Sequence, residues 1–254
     1  MGMIKIVLEN FRFLFTGSFL LFTIFSMAQP GSFEIRNITY DSLTQDLYLN
    51  YSKEISEASG ILNGPEYYYD DLIIGGNPFF GTTQFHDGSV VYRGQRFENQ
   101  EIGYDIYRDE VFISRYDQNR RISKINLEDD DVSAFEFSGR QFIHLNDSGN
   151  YENFPGNGYY ELLYSGATKV LAQRSKKVTP ANDGGLYKYQ FQIADKIFIY
   201  KENSFHRIFF KRTLNTLLKD EKKSWKPFIR ENGQSLRDLE AYCIGLCQYY
   251  DSLK

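Results

Sequence analysis

The chain has 254 residues, a formal net charge of −4 at pH 7 and two cysteines. A negative net charge argues against general nucleic-acid binding, because proteins that bind the phosphate backbone carry an excess of basic residues. Aromatic residues make up 17% of the chain, with 20 Tyr and 22 Phe, and this favours half-buried β-strands, since a tyrosine ring can pack while its hydroxyl reaches water.

The first 28 residues have the pattern of a cleavable export signal. Lys5 and Arg12 form a weakly basic start, residues 13–25 are apolar, and Ser26-Met27-Ala28 offers small residues at the cleavage positions. The alternative is an uncleaved membrane anchor, but the apolar run is shorter than the roughly 20 residues that span a bilayer. No cysteine stands near the cleavage site, so a lipid anchor is not expected. We predict an exported protein of the periplasm or cell envelope, without a transmembrane span once the signal is removed.

The rest of the chain is predicted to form one domain, with a β-rich region over residues 29–210 and a helical segment over residues 211–254. Near alternation of apolar residues predicts one or two strands over residues 32–51, and residues 52–62 are more typical of a helix. Residues 67–74 are predicted to be a strand or an extended arm. The following loop, Gly75-Gly76-Asn77-Pro78, carries three phenylalanines with it, namely Phe79, Phe80 and Phe85.

The centre of the predicted fold is residues 88–117. β-branched, aromatic and large apolar residues alternate there, which predicts three short antiparallel strands. Arg93-Gly94, Asn99-Gln100 and Arg108-Asp109-Glu110 interrupt the pattern and are predicted to be hairpin turns.

Eight further strands are predicted at regular spacing and with short turns between them. They cover residues 121–127, 132–137, 141–145, 159–164, 169–176, 186–194, 197–200 and 205–210. Such spacing favours sequential antiparallel pairing. We therefore predict a mainly β (α+β) fold, an up-and-down meander that forms a barrel-like or strongly curved sheet, with a two-sheet sandwich as the alternative.

The pattern becomes helical after residue 210, over residues 211–219, 221–230 and 235–253. The last segment has one apolar stripe, which predicts a helix that packs on the sheet, with Ser235 as its N-cap. Cys243 and Cys247 lie one turn apart on this stripe. Residues four apart on a helix rarely reach the torsion of a disulfide, so buried thiols are favoured, with a disulfide, metal binding or redox chemistry as the alternatives.

Several segments together resemble a group of exported proteins of unassigned activity that is common in Bacteroidota. The segments are Ser26-Met27-Ala28-Gln29, Asn63-Gly64-Pro65-Glu66-Tyr67, Gly88-x-Val90-x-Tyr92-x-Gly94 with Tyr104-Asp105, Gly158-Tyr159-Tyr160-Glu161-Leu162-Leu163-Tyr164, and Tyr249-Tyr250-Asp251-Ser252-Leu253. The resemblance covers most of the chain after the signal and implies export and a β-rich fold. It implies no catalytic residue. Separately, Ser42 and Ser252 stand in Asp-Ser-Leu triplets that resemble acceptor sites for O-glycans.

Two groups of residues are candidates for ligand contact. Aromatic residues crowd one region flanked by loops, and the predicted ligand-binding set is Tyr67, Tyr68, Tyr69, Phe79, Phe80, Phe85 and His86. Residues 207–230 hold 8 basic and 2 acidic residues, whereas residues 98–161 hold 14 acidic and 6 basic. The basic segment is either solvated, lies against the acidic sheet, or contacts an anionic partner. Its predicted surface consists of Lys222, Lys223, Lys226 and Arg230.

Motifs for catalysis, metal binding or cofactor binding are absent from the sequence, which has no nucleophile elbow, phosphate loop or dinucleotide fingerprint. Oxygen-rich turns at residues 128–131 and 147–152 lack EF-hand spacing and are predicted to be solvated. A carboxylate pair for glycoside hydrolysis could be drawn from Asp105, Asp109, Glu110 and Glu161, but a chain with 33 acidic residues always permits such a pair. His86 could instead be a general base oriented by Asp87, although a loop histidine beside an aspartate is more often solvated.

The resulting expectation is a non-enzymatic binding or structural module of the periplasm or envelope, with no cofactor, no metal and no nucleic-acid partner. Envelope glycan, lipid or another protein are the partners considered. A hydrolase that acts on envelope glycan or lipid is one alternative. A carrier of a lipid or other apolar ligand is another, and it would require a cavity inside the sheet.

Overall fold

The computed structural model describes residues 60–69, 74–82, 84–116, 122–147, 151–181, 187–233 and 236–254, without the side chains of residues 115, 116, 222 and 223. These residues all belong to one compact unit. The predicted signal, the elements predicted over residues 32–51, and Ser42 lie outside the described residues, as does nearly all of the helix predicted over residues 52–62.

The described residues form 13 strands in two sheets. The strands are β1 (Ile74–Gly75), β2 (His86–Tyr92), β3 (Gln95–Asp105), β4 (Glu110–Tyr116), β5 (Ile122–Asn126), β6 (Val132–Phe137), β7 (Arg140–Leu145), β8 (Gly158–Ser165), β9 (Lys169–Gln173), β10 (Lys176–Pro180), β11 (Tyr189–Ile193), β12 (Lys196–Lys201) and β13 (Ser204–Ile208). The large sheet has the order β13-β12-β9-β8-β7-β6-β2-β3-β4-β5, and the small sheet has the order β1-β11-β10.

The mainly antiparallel β fold is confirmed, and the large sheet is open because β5 and β13 lie at its two ends instead of pairing with each other. Most neighbours are consecutive in sequence, as predicted, but β2 pairs with β6 as well as β3. The strand predicted over residues 169–176 is confirmed for residues 169–173 only. The chain leaves the large sheet after β9, forms β10 and β11 in the small sheet, and returns as β12 beside β9.

The first predicted hairpin turn is confirmed and the second is wrong. Arg93 and Gly94 have φ of 51° and 77°, as a two-residue turn between right-twisted strands requires. At Asn99-Gln100 the chain continues through β3 with Asn99 at φ 53°. Gly88 pairs with Gln100 whereas Val90 pairs with Phe97, so β3 holds one residue more than β2 over this stretch, which is a β-bulge.

One face of the large sheet carries two hydrophobic clusters side by side. The first cluster spans β2 to β8 and is rich in aromatic rings, among them Tyr104, Phe135, Phe142 and Tyr159. The second lies where the C-terminal helices cover β9, β12 and β13. Tyr160, Leu171, Phe198 and Phe205 form a third cluster, on the opposite face, and the segment that contains Tyr151 and Phe154 packs against it.

Three helices close the chain, α1 (Lys211–Leu217), α2 (Lys222–Glu231) and α3 (Leu239–Ser252). They agree with the predicted helical segment. Ser235, predicted as the N-cap of the last helix, lies outside the described residues, and the N-cap of α3 is Asp238, which accepts a hydrogen bond from Ala241 N at 2.7 Å. Cys243 and Cys247 are buried and not disulfide-bonded, which confirms the prediction of thiols in the core.

A buried ion-pair cluster joins the sheet to the last helix. Glu161 on β8 has only 3% of its surface exposed and accepts hydrogen bonds from Arg140 Nη1 at 2.7 Å and Arg174 Nε at 2.5 Å. Arg174 also contacts Asp195 at 2.8 Å and Glu240 of α3 at 2.9 Å. Because a buried carboxylate is costly unless it is paired, Glu161 and the two arginines depend on one another.

Candidate binding surfaces

Most of the predicted aromatic site is a small packed cluster on the back of β3 and β4. Tyr67, Phe79 and Phe112 are buried in it, and Tyr69 and Phe85 are partly buried. The Tyr67 ring stacks on Phe112 at 4.0 Å between centroids. Its hydroxyl donates a hydrogen bond to Asp105 Oδ2 at 2.7 Å, and burial raises the pKa of Tyr67.

This cluster forms because Gly103, the partner of Phe112 across β3 and β4, has no side chain. A Cβ atom at Gly103 would lie 2.2 Å from the Phe112 ring. The ring therefore occupies the space above the glycine, and Tyr67 and Phe79 cover it. Asp105 anchors the next turn, because its Oδ1 accepts hydrogen bonds from the backbone N–H of both Tyr107 and Arg108 at 2.9 Å.

Phe80, His86 and Tyr68 lie apart from this cluster. Phe80 packs edge-on against Phe137 and Phe142 of the first hydrophobic cluster. His86 stacks on Phe137 at 4.6 Å between ring centroids. Tyr68 is 71% exposed. The structure thus brings four of the seven predicted residues together, namely Tyr67, Tyr69, Phe79 and Phe85, and it places the most accessible one, Tyr68, on the outer surface.

An exposed group of aromatic residues adjoins the packed cluster. We call it the aromatic patch, and it consists of Tyr68, Tyr107, Tyr187, Tyr189 and Phe191. The four tyrosines are between 44% and 71% exposed, and Phe191 is half-buried. The Phe191 ring contacts Tyr107 at 5.4 Å and Tyr69 at 6.5 Å between centroids, so the patch continues into the packed cluster.

The small sheet holds these rings in place. Side chains alternate along a strand, so Tyr189, Phe191 and Ile193 of β11 share one face. Lys176 of β10 fixes this sheet to the loop before Phe79, because its Nζ donates to Asn77 O at 2.8 Å and Phe79 O at 2.6 Å. Burial lowers the pKa of Lys176.

Tyr187 lies against the backbone of β1. A Cβ atom at Gly75 would lie 3.1 Å from the Tyr187 ring, which means that the ring covers the glycine closely. Arg108 contributes a second constraint, since its Nη1 donates to Tyr68 O at 2.9 Å. Tyr187 and the backbone of Tyr68 are therefore held in place by contacts with Gly75 and Arg108.

Three of the four candidate acidic residues, Asp105, Asp109 and Glu161, have structural partners. Asp109 accepts hydrogen bonds from Tyr104 OH at 2.6 Å and from Tyr159 N at 3.2 Å, and burial raises the pKa of Asp109. Burial also raises the pKa of Glu110. Asp105 orders a turn, and Glu161 is ion-paired. Within the described residues, no group of three or more His, Cys, Asp or Glu side chains could hold a metal ion.

His86 and Asp87 do not form a catalytic pair through each other. They are consecutive residues of β2, and consecutive strand residues point to opposite faces of the sheet. His86 faces Phe137, whereas Asp87 lines a shallow cavity of about 290 Å³ with Arg96, Glu98 and Glu136. Of the oxygen-rich turn at residues 128–131, Asp129 accepts from Tyr159 OH at 3.1 Å and Asp131 pairs with Arg93 at 2.7 Å.

A second surface lies at the other end of the large sheet, and we call it the basic groove. It consists of two adjoining cavities of about 680 and 610 Å³ that share Arg212 and Thr216 of α1. Its cations are Arg207, Arg212, Lys219 and Lys226, and no Asp or Glu lines either cavity. The sequence missed Arg207 and Arg212, which alternate with apolar residues in β13 and α1.

The predicted basic surface is only partly in this groove. Lys226 lines it, and Arg230 is exposed near the end of α2. The side chains of Lys222 and Lys223 lie outside the described part of the structure. Ser252 is exposed at the end of α3.

Comparisons with models of protein families, with characterised proteins and with solved structures found no match to this chain. Among the helices that the structure describes, none has both the length and the apolar character needed to cross a membrane.

Proposed function

We propose that this chain is a non-enzymatic binding module of the periplasm or cell envelope and that it binds envelope glycan through the aromatic patch. The observation that carries the proposal is the exposed Tyr107 ring packed on Phe191, with Tyr68, Tyr187 and Tyr189 exposed on adjoining segments, next to a packed aromatic cluster. Exposed aromatic groups of this kind mark interaction sites more often than chance positions on a surface.

The chemistry of the patch suits a sugar. An aromatic ring offers an apolar face to the C–H groups of a sugar ring, while the tyrosine hydroxyl remains available to bond the sugar hydroxyls. Tyr187 covers Gly75 and Tyr107 packs against Phe191, so these rings lose little conformational freedom when a ligand binds. An acyl chain would leave the hydroxyls without partners, which is why glycan is favoured over lipid.

Export supports the same partner. The predicted signal over residues 1–28 would bring the protein to the compartment where envelope polysaccharides are found. The buried tyrosine network around Asp109 favours packing over hydrolysis, because both oxygens of this carboxylate already accept hydrogen bonds.

The test is a calorimetric titration of the purified chain with solubilised envelope polysaccharide. Tyr187→Ala and Tyr189→Ala should each weaken binding about tenfold, since the loss of one stacked ring corresponds to about 1.4 kcal/mol. Phe210→Ala is the matched control, because Phe210 is equally aromatic and 69% exposed but lies outside the patch.

Equal affinity of all three variants would contradict the proposal, as would an absence of binding by the wild type. Release of new reducing ends during the titration would instead support a hydrolase. Retention of lipid in place of polysaccharide would support the carrier alternative.

A further inference from the structure

The strand at the end of the large sheet has backbone groups that face outward. β13 pairs with β12 on one side only. On its other side Phe205 N donates to Glu152 O at 2.9 Å, and Asn203 O accepts from Glu152 N at 3.1 Å. Outward-facing positions therefore include residues 203 and 205.

The alternation of the strand extends this reasoning to Arg207. In an antiparallel pair, every second residue directs its N–H and C=O away from the partner strand. Because the backbone N–H of Phe205 faces away from β12, the backbone groups of Arg207 do as well. No backbone hydrogen bond beyond the β12 ladder involves Arg207 in the part of the chain that the structure describes. Glu152 thus covers the start of this edge, and none of the described segments covers the edge beyond it.

The basic groove runs along this open edge. Its larger cavity is bounded by Phe205, Arg207 and Ile208 of β13 on one side and by Arg212 and Thr216 of α1 on the other. A volume of about 680 Å³ lies in the range of ligand sites in proteins. Backbone donors and acceptors and positive side chains therefore face the same space.

The charges of the groove are uncompensated within the described residues. None of the ion pairs there involves Arg207, Arg212, Lys219 or Lys226. The Arg207 guanidinium lies over the Phe209 ring at 4.4 Å. Phe209 and the next residue, Phe210, are 56% and 69% exposed, so apolar contact area continues beyond the end of the strand.

We propose that this groove binds an extended acidic segment of a partner protein, which adds to β13 as a further strand. Strand addition satisfies the outward backbone groups of Arg207, as Glu152 already does for Phe205. Acidic side chains of the segment meet Arg207, Arg212, Lys219 and Lys226. A phosphate or a lipid headgroup would pair with the cations but would leave the geometry of the strand edge unused.

The test uses the full chain after the signal and a fluorescent eight-residue peptide of alternating Glu and Val, with binding followed by anisotropy. An analogue with the same charges carries N-methyl groups on alternate amides, so that it cannot donate ladder hydrogen bonds. We expect the parent peptide to bind at least tenfold more tightly than the analogue. We also expect hydrogen exchange at the Arg207 amide to slow in the complex.

A charge-reversal pair provides the matched variants. Arg212→Glu changes a groove cation, and Arg230→Glu makes the same change of charge at an exposed position outside the groove. Both are surface positions, so both variants should fold. We expect Arg212→Glu to weaken peptide binding at least tenfold and Arg230→Glu to change it less than threefold.

Equal binding of the parent peptide and its N-methylated analogue would overturn strand addition and leave only attraction between charges. Equal effects of Arg212→Glu and Arg230→Glu would overturn the groove as the site, and so would an absence of peptide binding. Tighter binding to phosphatidylglycerol vesicles than to the peptide would overturn a protein partner. Tyr189→Ala lies on the aromatic patch and should leave peptide affinity unchanged.

Discussion

Removing the charge of Glu161 should destabilise the protein more than any surface ion-pair variant. Loss of one partner of a buried ion pair costs about 3–5 kcal/mol, because the remaining charge stays buried without compensation. In Glu161→Gln the stranded group is Arg174, whose side chain is 10% exposed and which keeps Asp195 and Glu240 as partners. The Arg140 side chain is 43% exposed and can be hydrated. We therefore expect the lower limit, about 3 kcal/mol of the free energy of unfolding.

The assay is denaturant unfolding followed by the fluorescence of Trp225, the single tryptophan, which is buried against the C-terminal helices. A loss of this size lowers the melting temperature by about 6–12 °C in a domain of this size. Glu98→Gln is the control, because Glu98 pairs with Arg96 at the surface, where such pairs contribute about 0–1 kcal/mol. If the two variants differed by less than 1 kcal/mol, the dependence of the arginines on Glu161 would be refuted.

Three further predictions follow from buried groups. Burial raises the pKa of Asp109 above its ordinary 3.8, so the Asp109 carboxylate binds a proton more tightly in the folded state than in the unfolded state. The stability of the wild type relative to Asp109→Asn should therefore fall as pH rises from about 4 through the folded pKa, as measured by unfolding at a series of pH values. Gly103→Ala should cost about 1–3 kcal/mol because its methyl group would strike the Phe112 ring, and Phe112→Leu in the same chain should recover part of that cost in thermal melts. Burial raises the pKa of Cys243 and Cys247 to about 12, so a thiol reagent at pH 8 should modify neither cysteine until guanidinium is added. Rapid labelling of the folded chain would show instead that α3 separates from the second hydrophobic cluster.

The sequence predicted those elements whose pattern is local. The strand over residues 132–137 has the predicted bounds because its apolar residues stand between two turn segments, residues 128–131 and Ser138-Gly139. The helix α3 was found from its apolar stripe, since a period of 3.6 residues does not depend on what the helix packs against. Arg93-Gly94 is predicted to be a turn because it interrupts the apolar pattern of the flanking strands, and the structure shows the left-handed backbone that such a turn requires.

The errors arose where the decision depends on distant residues. Asn99 tolerates a left-handed backbone, and this suits a bulge as well as a turn. Only the pairing of β2 with β3 distinguishes the two. The break between β9 and β10 is set by Asp195, which pairs with Arg174 and accepts from Ser175 N at 3.0 Å, and no pattern in residues 169–176 reports that contact.

The aromatic site shows the same limit. The prediction that Tyr67, Phe79 and Phe85 lie close together is correct, but their burial depends on the space above Gly103, which is distant in sequence. The exposed rings of Tyr187 and Tyr189 were missed because β11 has ordinary strand alternation. The sequence does not show that β11 belongs to a separate sheet of three strands, and this separate sheet is what leaves its side chains exposed.

The two ends of the large sheet are not equivalent. At β5 the chain's own segment covers the middle of the strand, because Tyr67 N donates to Lys124 O at 2.7 Å and Asn126 N donates to Pro65 O at 2.8 Å. Among the residues that the structure describes, no segment covers the far half of β13. Strand pairing that is available at one end of a sheet and blocked at the other cannot pass from one copy to the next. If a partner strand adds at β13 as proposed, the cover over Lys124 and Asn126 therefore opposes growth into a fibre, and the complex stays a discrete particle.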